Sequence, residues 1–224
     1  MSFTKRLVTL IAVLVLTSCV SSAYRLQDVA KSDASLVYEL HYEQTMGLLR
    51  ELTIKLYKRN PRQLPGHIAV NERLHSLFEV PDFLEYKECG TDIETQLMER
   101  VLAVSFQQDR VFCLMAGLVG MIKHSFNYKS EFFLLDSLDE QKLYKSARNI
   151  ERLMWRLAQN MPQTGKPLLL TNSLQSEAVN LSFERLFGKL IGQQDVLAQI
   201  VAGKNKRAIN YVARKIGSFF FLPL

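Results

Sequence analysis

Residues 111–122, VFCLMAGLVGMI, carry no charged, hydroxyl or amide side chain. Wound as a helix, this run has no face to present to water, and a helix apolar on every side must be enclosed by other elements. It rises about 18 Å, too little to cross a hydrocarbon layer of about 30 Å. The run therefore predicts the central helix of a globular core, with the rest of the chain wrapped around it. Ala116 and Gly120 share one side of that helix, where small side chains would let a neighbour approach closely.

The flanking sequence supplies amphipathic helices for the wrapping. Tyr38, Tyr42, Thr45, Leu49, Leu52 and Leu56 alternate steps of four and three and mark one continuous helical face. Asn60-Pro61 stops this helix, because the residue before a proline avoids the helical region. Pro65-Gly66 prolongs the loop, and Leu74, Leu77 and Phe78 belong to a short helix that ends before Pro81. Residues 81–90 read as a charged loop. Thr91 and Glu94 fit a capping box opening a helix with Ile93, Leu97, Val101 and Val104 inward. Gln107-Gln108-Asp109-Arg110 either breaks that helix or forms one exposed turn of a longer one.

Beyond the central run, Ser137 and Glu140 fit a second capping box. It precedes a stripe through Leu143, Ala147, Ile150, Met154, Leu157 and Met161. Such a stripe suits a coiled-coil seam, but Tyr144, Leu153 and Trp155 widen it and favour packing within the domain. Pro162 to Pro167 form a loop, and helical spacing resumes from about Ser173 through Phe183, Leu186, Phe187 and Leu190. Gly192 and Gly203 read as turn or cap points, with a last helix from about Lys206 to Ile216. No segment alternates as a strand does, and no period of about 34 residues repeats. The expectation is an all-α, non-repeating bundle of roughly six to eight helices over residues 33–224.

The beginning of the chain is built differently. Lys5 and Arg6 precede Leu7–Leu16, an apolar core of about 10 residues, the size of a secretory signal's hydrophobic region. Leu16-Thr17-Ser18-Cys19 then resembles the lipobox of bacterial lipoproteins: an aliphatic residue and two small ones ahead of a cysteine. The resemblance implies that diacylglycerol is joined to the Cys19 sulfur, that residues 1–18 leave as a signal peptide, and that the new amino group is acylated. Small side chains before the cut admit the backbone to a membrane-embedded peptidase, and the thiol is the side chain able to form the thioether. An ordinary secretory signal cut within Val20-Ser21-Ser22-Ala23 is the weaker alternative. With Val20 rather than Asp after the acylated cysteine, the resemblance implies export to the outer membrane, facing the periplasm. Residues 19–32 become the lipidated N-terminus and a polar tether, which reaches at most about 45 Å.

Of the three cysteines, Cys89 and Cys113 remain once Cys19 is lipidated. In an oxidising compartment that even pair favours a disulfide, worth about 3 kcal/mol in the chain-entropy model. The alternative is that Cys113 is a small buried hydrophobe. No second Cys or His stands at ligand spacing from either, so neither a metal site nor a cofactor is expected. The formal charge of +6 falls to +4 once Lys5 and Arg6 are removed. That mild balance, with the periplasmic address, argues against nucleic acid as a partner.

His41, His67, His75 and His124 form no zinc motif, and neither a serine elbow nor a glycine-rich phosphate loop occurs. Glu39, His41 and Glu43 read as a solvated helix face, while Glu85 and Glu88 are the least poor acid–base candidates. The chain is therefore expected to be no enzyme but a structural, adapter or assembly factor, tied to the membrane by lipid and partnered by an envelope protein. A carrier of lipid or another apolar ligand, and a cell-wall enzyme with an unrecognised site, are the alternatives. At the C-terminus, Phe219, Phe220, Phe221 and Leu222 follow the cations Lys204, Lys206, Arg207, Arg214 and Lys215. These apolar residues either fold back into the core, the docking that orders chain ends, or stand exposed as a partner or membrane contact.

Overall fold

A computed structural model describes residues 31–79, 87–90, 94–159, 167–171, 177, 180–206 and 221–224. Through them run six α-helices: α1 (Asp33–Arg59), α2 (Val70–Phe78), α3 (Glu94–Val101), α4 (Arg110–Ser125), α5 (Glu140–Gln159) and α6 (Ser182–Asn205). Short 3-10 turns lie at Pro61–Gln63 and Lys87–Cys89, and no strand occurs among the described residues. The chain is an all-α bundle. The signal-peptide segment, Cys19 and the tether up to residue 30 lie outside the described residues.

α4 is the hub. Every residue from Val111 to Ile122 is buried, and α1, α2, α3 and α5 all pack on this helix. α6 completes the bundle along α5 and α1. It runs antiparallel to α1: Lys204, near the end of α6, lies over the ring of Tyr38 near the start of α1. A close approach to α4 falls at Gly117, next to Ala116 on the same helix. A Cβ on Gly117 would stand 2.8 Å from Met98 Cγ and 2.9 Å from the Glu94 carbonyl oxygen, so α3 rests directly on the backbone of α4.

α1 follows its periodicity. Ser32 and Ser35 cap it reciprocally, and Tyr38, Thr45, Leu49, Leu52 and Leu56 are buried. Tyr42 is half-buried, edge-on to Phe126 at 5.2 Å. Asn60 ends the helix and fastens a remote segment to it. Its side-chain amide donates to the Leu56 and Leu170 carbonyls, each at 2.9 Å, and its oxygen accepts from Leu170 N–H at 2.8 Å. In α5, Leu143, Tyr144, Ala147, Ile150, Leu153 and Leu157 are buried within the domain, as the widened stripe predicts; Met161 lies outside the described residues.

Several local readings are corrected. α3 ends at Val101, so Val104 falls in the turn beyond it and is 62 % exposed rather than inward. The 107–110 group is the break, and half of it is buried. The Arg110 guanidinium donates to the carbonyls of Val101, Ala103 (3.0 Å) and Phe106 (2.8 Å), satisfying the end of α3 from the start of α4. Asp109 caps α4 by accepting from Phe112 N–H at 2.9 Å.

α5 is capped two residues later than Ser137. Asp139 Oδ1 accepts from Gln141 N–H (2.8 Å) and Lys142 N–H (3.3 Å), while the Glu140 carboxylate accepts from Asn205. Aspartate caps as well as serine, and buried Leu138 just ahead of it fixes where the chain enters the helix. The carboxylate of Glu94 accepts from the Tyr128 hydroxyl at 2.6 Å; Thr91, its expected capping partner, lies outside the described residues. α6 continues through Gly192 and Gly203 because Phe183, Leu190, Leu197 and Val201 keep one face buried. It ends where Lys206 turns left-handed at φ 53°. Most of the expected helix from Lys206 to Ile216 lies outside the described residues.

Candidate functional site

Cys89 and Cys113 come to disulfide distance, with Cα atoms 5.4 Å apart, and both are fully buried. The pair pins the turn Lys87–Cys89 to α4 beside a polar cluster. Arg73 of α2 is 5 % exposed; it pairs with both carboxylate oxygens of Glu88, and its Nε lies 3.2 Å from Asp109 Oδ2. Its guanidinium also lies over the Phe112 ring at 4.2 Å. The Tyr57 hydroxyl donates to Asp109 Oδ2 at 2.8 Å. Burial holds the Asp109 carboxyl above the ordinary range, against the pull of Phe112 N–H, the Tyr57 hydroxyl and Arg73. Burial, followed by the Asp109 charge, pushes the Tyr57 phenol up. Glu88 is therefore the counter-ion of a buried arginine. Glu85 lies outside the described residues.

The histidines do not meet. His67 is exposed in the loop before α2. His75 pairs with Glu79 on the surface of α2 at 2.6 Å. His124 stacks on Tyr128 at 5.3 Å, and burial and then Lys142 lower its pKa, against the nearby Glu94. Among the described residues, no group of three or more His, Cys, Asp or Glu is placed to hold a metal ion. Glu43 is exposed, but Glu39 is a clamp: it accepts from Lys31 Nζ at 2.8 Å and from Phe132 N–H at 2.9 Å.

His41 instead lines an open groove between α1 and α6, together with Gln44, Leu48, Lys189, Gly192, Gln193 and Val196. The groove encloses about 440 Å³. Burial lowers the His41 pKa below that of a free imidazole. A Cβ at Gly47 or Gly192 would meet nothing within 4 Å, so these helix-interior glycines border open space.

Among the described residues, a run of consecutive exposed apolar side chains lies on the connection between α4 and α5. Phe133, Leu134 and Leu135 are 37 %, 62 % and 94 % exposed. The spacing rules had no hold on this stretch; the available signal was a run of four apolar residues, 132–135, too short for a helix and bounded by Glu131 and Asp136. The C-terminus behaves otherwise. Phe221 is buried, its N–H donating to Glu99 Oε1 at 2.9 Å and its ring lying 5.4 Å from the Arg156 guanidinium carbon. Leu222 exchanges two hydrogen bonds with the Asn149 side chain, at 2.7 and 2.8 Å. Folding back thus describes Phe221 and half-buried Leu222, and burial removes Phe221 from the exposed contact; Phe219 and Phe220 lie outside the described residues. No family model, no curated protein and no solved structure matches the chain.

Proposed function

We propose that the chain is a lipid-anchored lipoprotein of the bacterial envelope, held at the periplasmic face of the outer membrane. Its helical domain serves there as a structural, adapter or assembly factor for another envelope component. The observation that carries this reading is the order Lys5-Arg6, Leu7–Leu16, then Leu16-Thr17-Ser18-Cys19. A cysteine pair at disulfide distance suits the same oxidising compartment. The carboxylates nearest to acid–base candidates have structural partners, Glu88 on Arg73 and Glu39 on Lys31 and Phe132, which supports a non-catalytic role.

Metabolic labelling with palmitate tests the anchor. The wild type takes up label, whereas Cys19→Ser takes up none and leaves the membrane fraction. An unlabelled wild type would overturn the assignment. Affinity capture from detergent-solubilised membranes then tests the role, with a stoichiometric envelope protein as the expected result. The groove between α1 and α6 favours a carrier as the second reading. Its size of about 440 Å³ falls in the range of roughly 300–1,000 Å³ typical of small-molecule sites. Leu48 and Val196 offer it apolar walls and Lys189 a cation. Lipid recovered without a protein partner would select this reading.

A further inference from the structure

We propose that the tip of the α4–α5 connection, Phe133-Leu134-Leu135, together with the exposed first turns of α1, is a membrane-contact surface that lies against the bilayer holding Cys19; this rests on the anchoring reading above. The tip is a clamped turn. Asp136 N–H donates to the Phe133 carbonyl at 2.9 Å, and Asp136 Oδ2 accepts from Phe133 N–H at 2.9 Å. Its other carboxylate oxygen pairs with Lys129. Leu134 and Leu135 occupy the two corners, positions that turns ordinarily fill with Gly, Pro, Asn, Asp or Ser. A run of exposed apolar residues weakens a soluble surface unless it has a function.

The stalk beneath the tip is fixed. Phe132 is buried, edge-on to Tyr38 at 5.6 Å, and its N–H is held by Glu39. Asn127 and Tyr128 take φ of 54° and 58°, a left-handed conformation that a bulky residue such as tyrosine adopts only when its surroundings impose it.

Position and charge identify the occupant. Glu39 also holds Lys31, so residue 31, separated from Cys19 by eleven residues in sequence, stands beside this loop. The intervening residues reach at most about 40 Å, which keeps this end of the bundle close to the anchoring bilayer. Leu36 and Leu40, one turn apart at the start of α1, are 54 % and 57 % exposed. Lysines stand at the same end: Lys142 beside Asn127 and Lys204 over Tyr38, with Lys31 and Lys129 paired to Glu39 and Asp136. Exposed apolar side chains with lysine amines beside them suit the boundary between acyl chains and phosphate headgroups.

Tryptophan quenching tests the surface. The chain has a single tryptophan, Trp155; in a Trp155→Phe background, Leu135→Trp reports the tip and Val104→Trp the opposite end of α4. The purified full-length chain is mixed with vesicles of phosphatidylethanolamine and phosphatidylglycerol carrying brominated acyl chains. Leu135→Trp is expected to shift to the blue and to be quenched, with Val104→Trp unchanged. Equal quenching at both positions, high or low, overturns the proposal. So does a blue shift that appears only with a crosslinked envelope protein and not with vesicles. The mass of the N-terminal peptide reports acylation separately: an unmodified Cys19 defeats the anchor, while the quenching still decides the surface.

Discussion

Two apolar tetrads, FFLL at 132–135 and FFFL at 219–222, are nearly the same in sequence. In the first, Phe132 is buried and the next three side chains stand out from the body. In the second, Phe221 is buried and Leu222 is tied on both sides of its peptide to Asn149. The difference lies in who satisfies the backbone. Around Phe133 the loop's own Asp136 accepts the N–H, so the turn closes on itself and its side chains point away. At Phe221 and Leu222 the partners are Glu99 and Asn149, residues of helices, and the segment is drawn onto the bundle. Hydrophobicity is common to both; the available hydrogen-bond partners separate them.

Four measurements would break or sharpen this contrast. Phe132→Ala removes the stalk, and loss of a buried phenylalanine lowers unfolding stability by about 3–5 kcal/mol; a denaturant midpoint close to wild type would show that the loop carries no part of the core. Asn149→Ala removes both hydrogen bonds to the half-buried Leu222 peptide, and at about 0.5–1.5 kcal/mol each this costs about 1–3 kcal/mol. Limited proteolysis of that variant should cut first near the C-terminus.

The Glu39 clamp gives a smaller, pH-dependent effect. Burial opposes its ionisation, but the bonds from Lys31 and Phe132 N–H prevail and hold its pKa below the ordinary glutamate range. A lowered folded pKa contributes stability above the unfolded pKa and loses it as pH falls through the folded one. Wild type should therefore lose this stability on acidification below the normal glutamate range, and Glu39→Gln should flatten that part of the profile. Leu135→Ala closes the series, with a change within about 0.5 kcal/mol in the absence of membranes. A larger fall in the thermal midpoint would mean that the tip packs against the body.

Much of the frame was legible because it is local. A 3.6-residue period marked the inward faces of α1 and α5, and the proline at 61 ended α1 at Arg59. Boundaries were legible only approximately. Ser137 and Asp139 are both competent caps, and the spacing to Glu140 favoured the wrong one. Gly192 resembled a stop, yet the buried face continuing from Leu190 to Leu197 carries α6 through it. The polar cluster left no trace at all. Tyr57 and Asp109 are 52 residues apart, and nothing near either announces the other.

By itself, the sequence determined an all-helical body around residues 111–122, because an apolar run with no polar side can only be enclosed. The lipobox resemblance at Leu16–Cys19 is local in the same way. Tertiary structure alone decided that Arg73 is neutralised by Glu88 and Asp109, that Phe221 docks, and that Leu134 and Leu135 remain outside. Outside a periodic helix, burial follows from whichever remote donor or acceptor satisfies the backbone, since a peptide group left unpaired away from water costs about as much as a lost hydrogen bond. Such a partner is a neighbour in space, and no spacing along the chain encodes it.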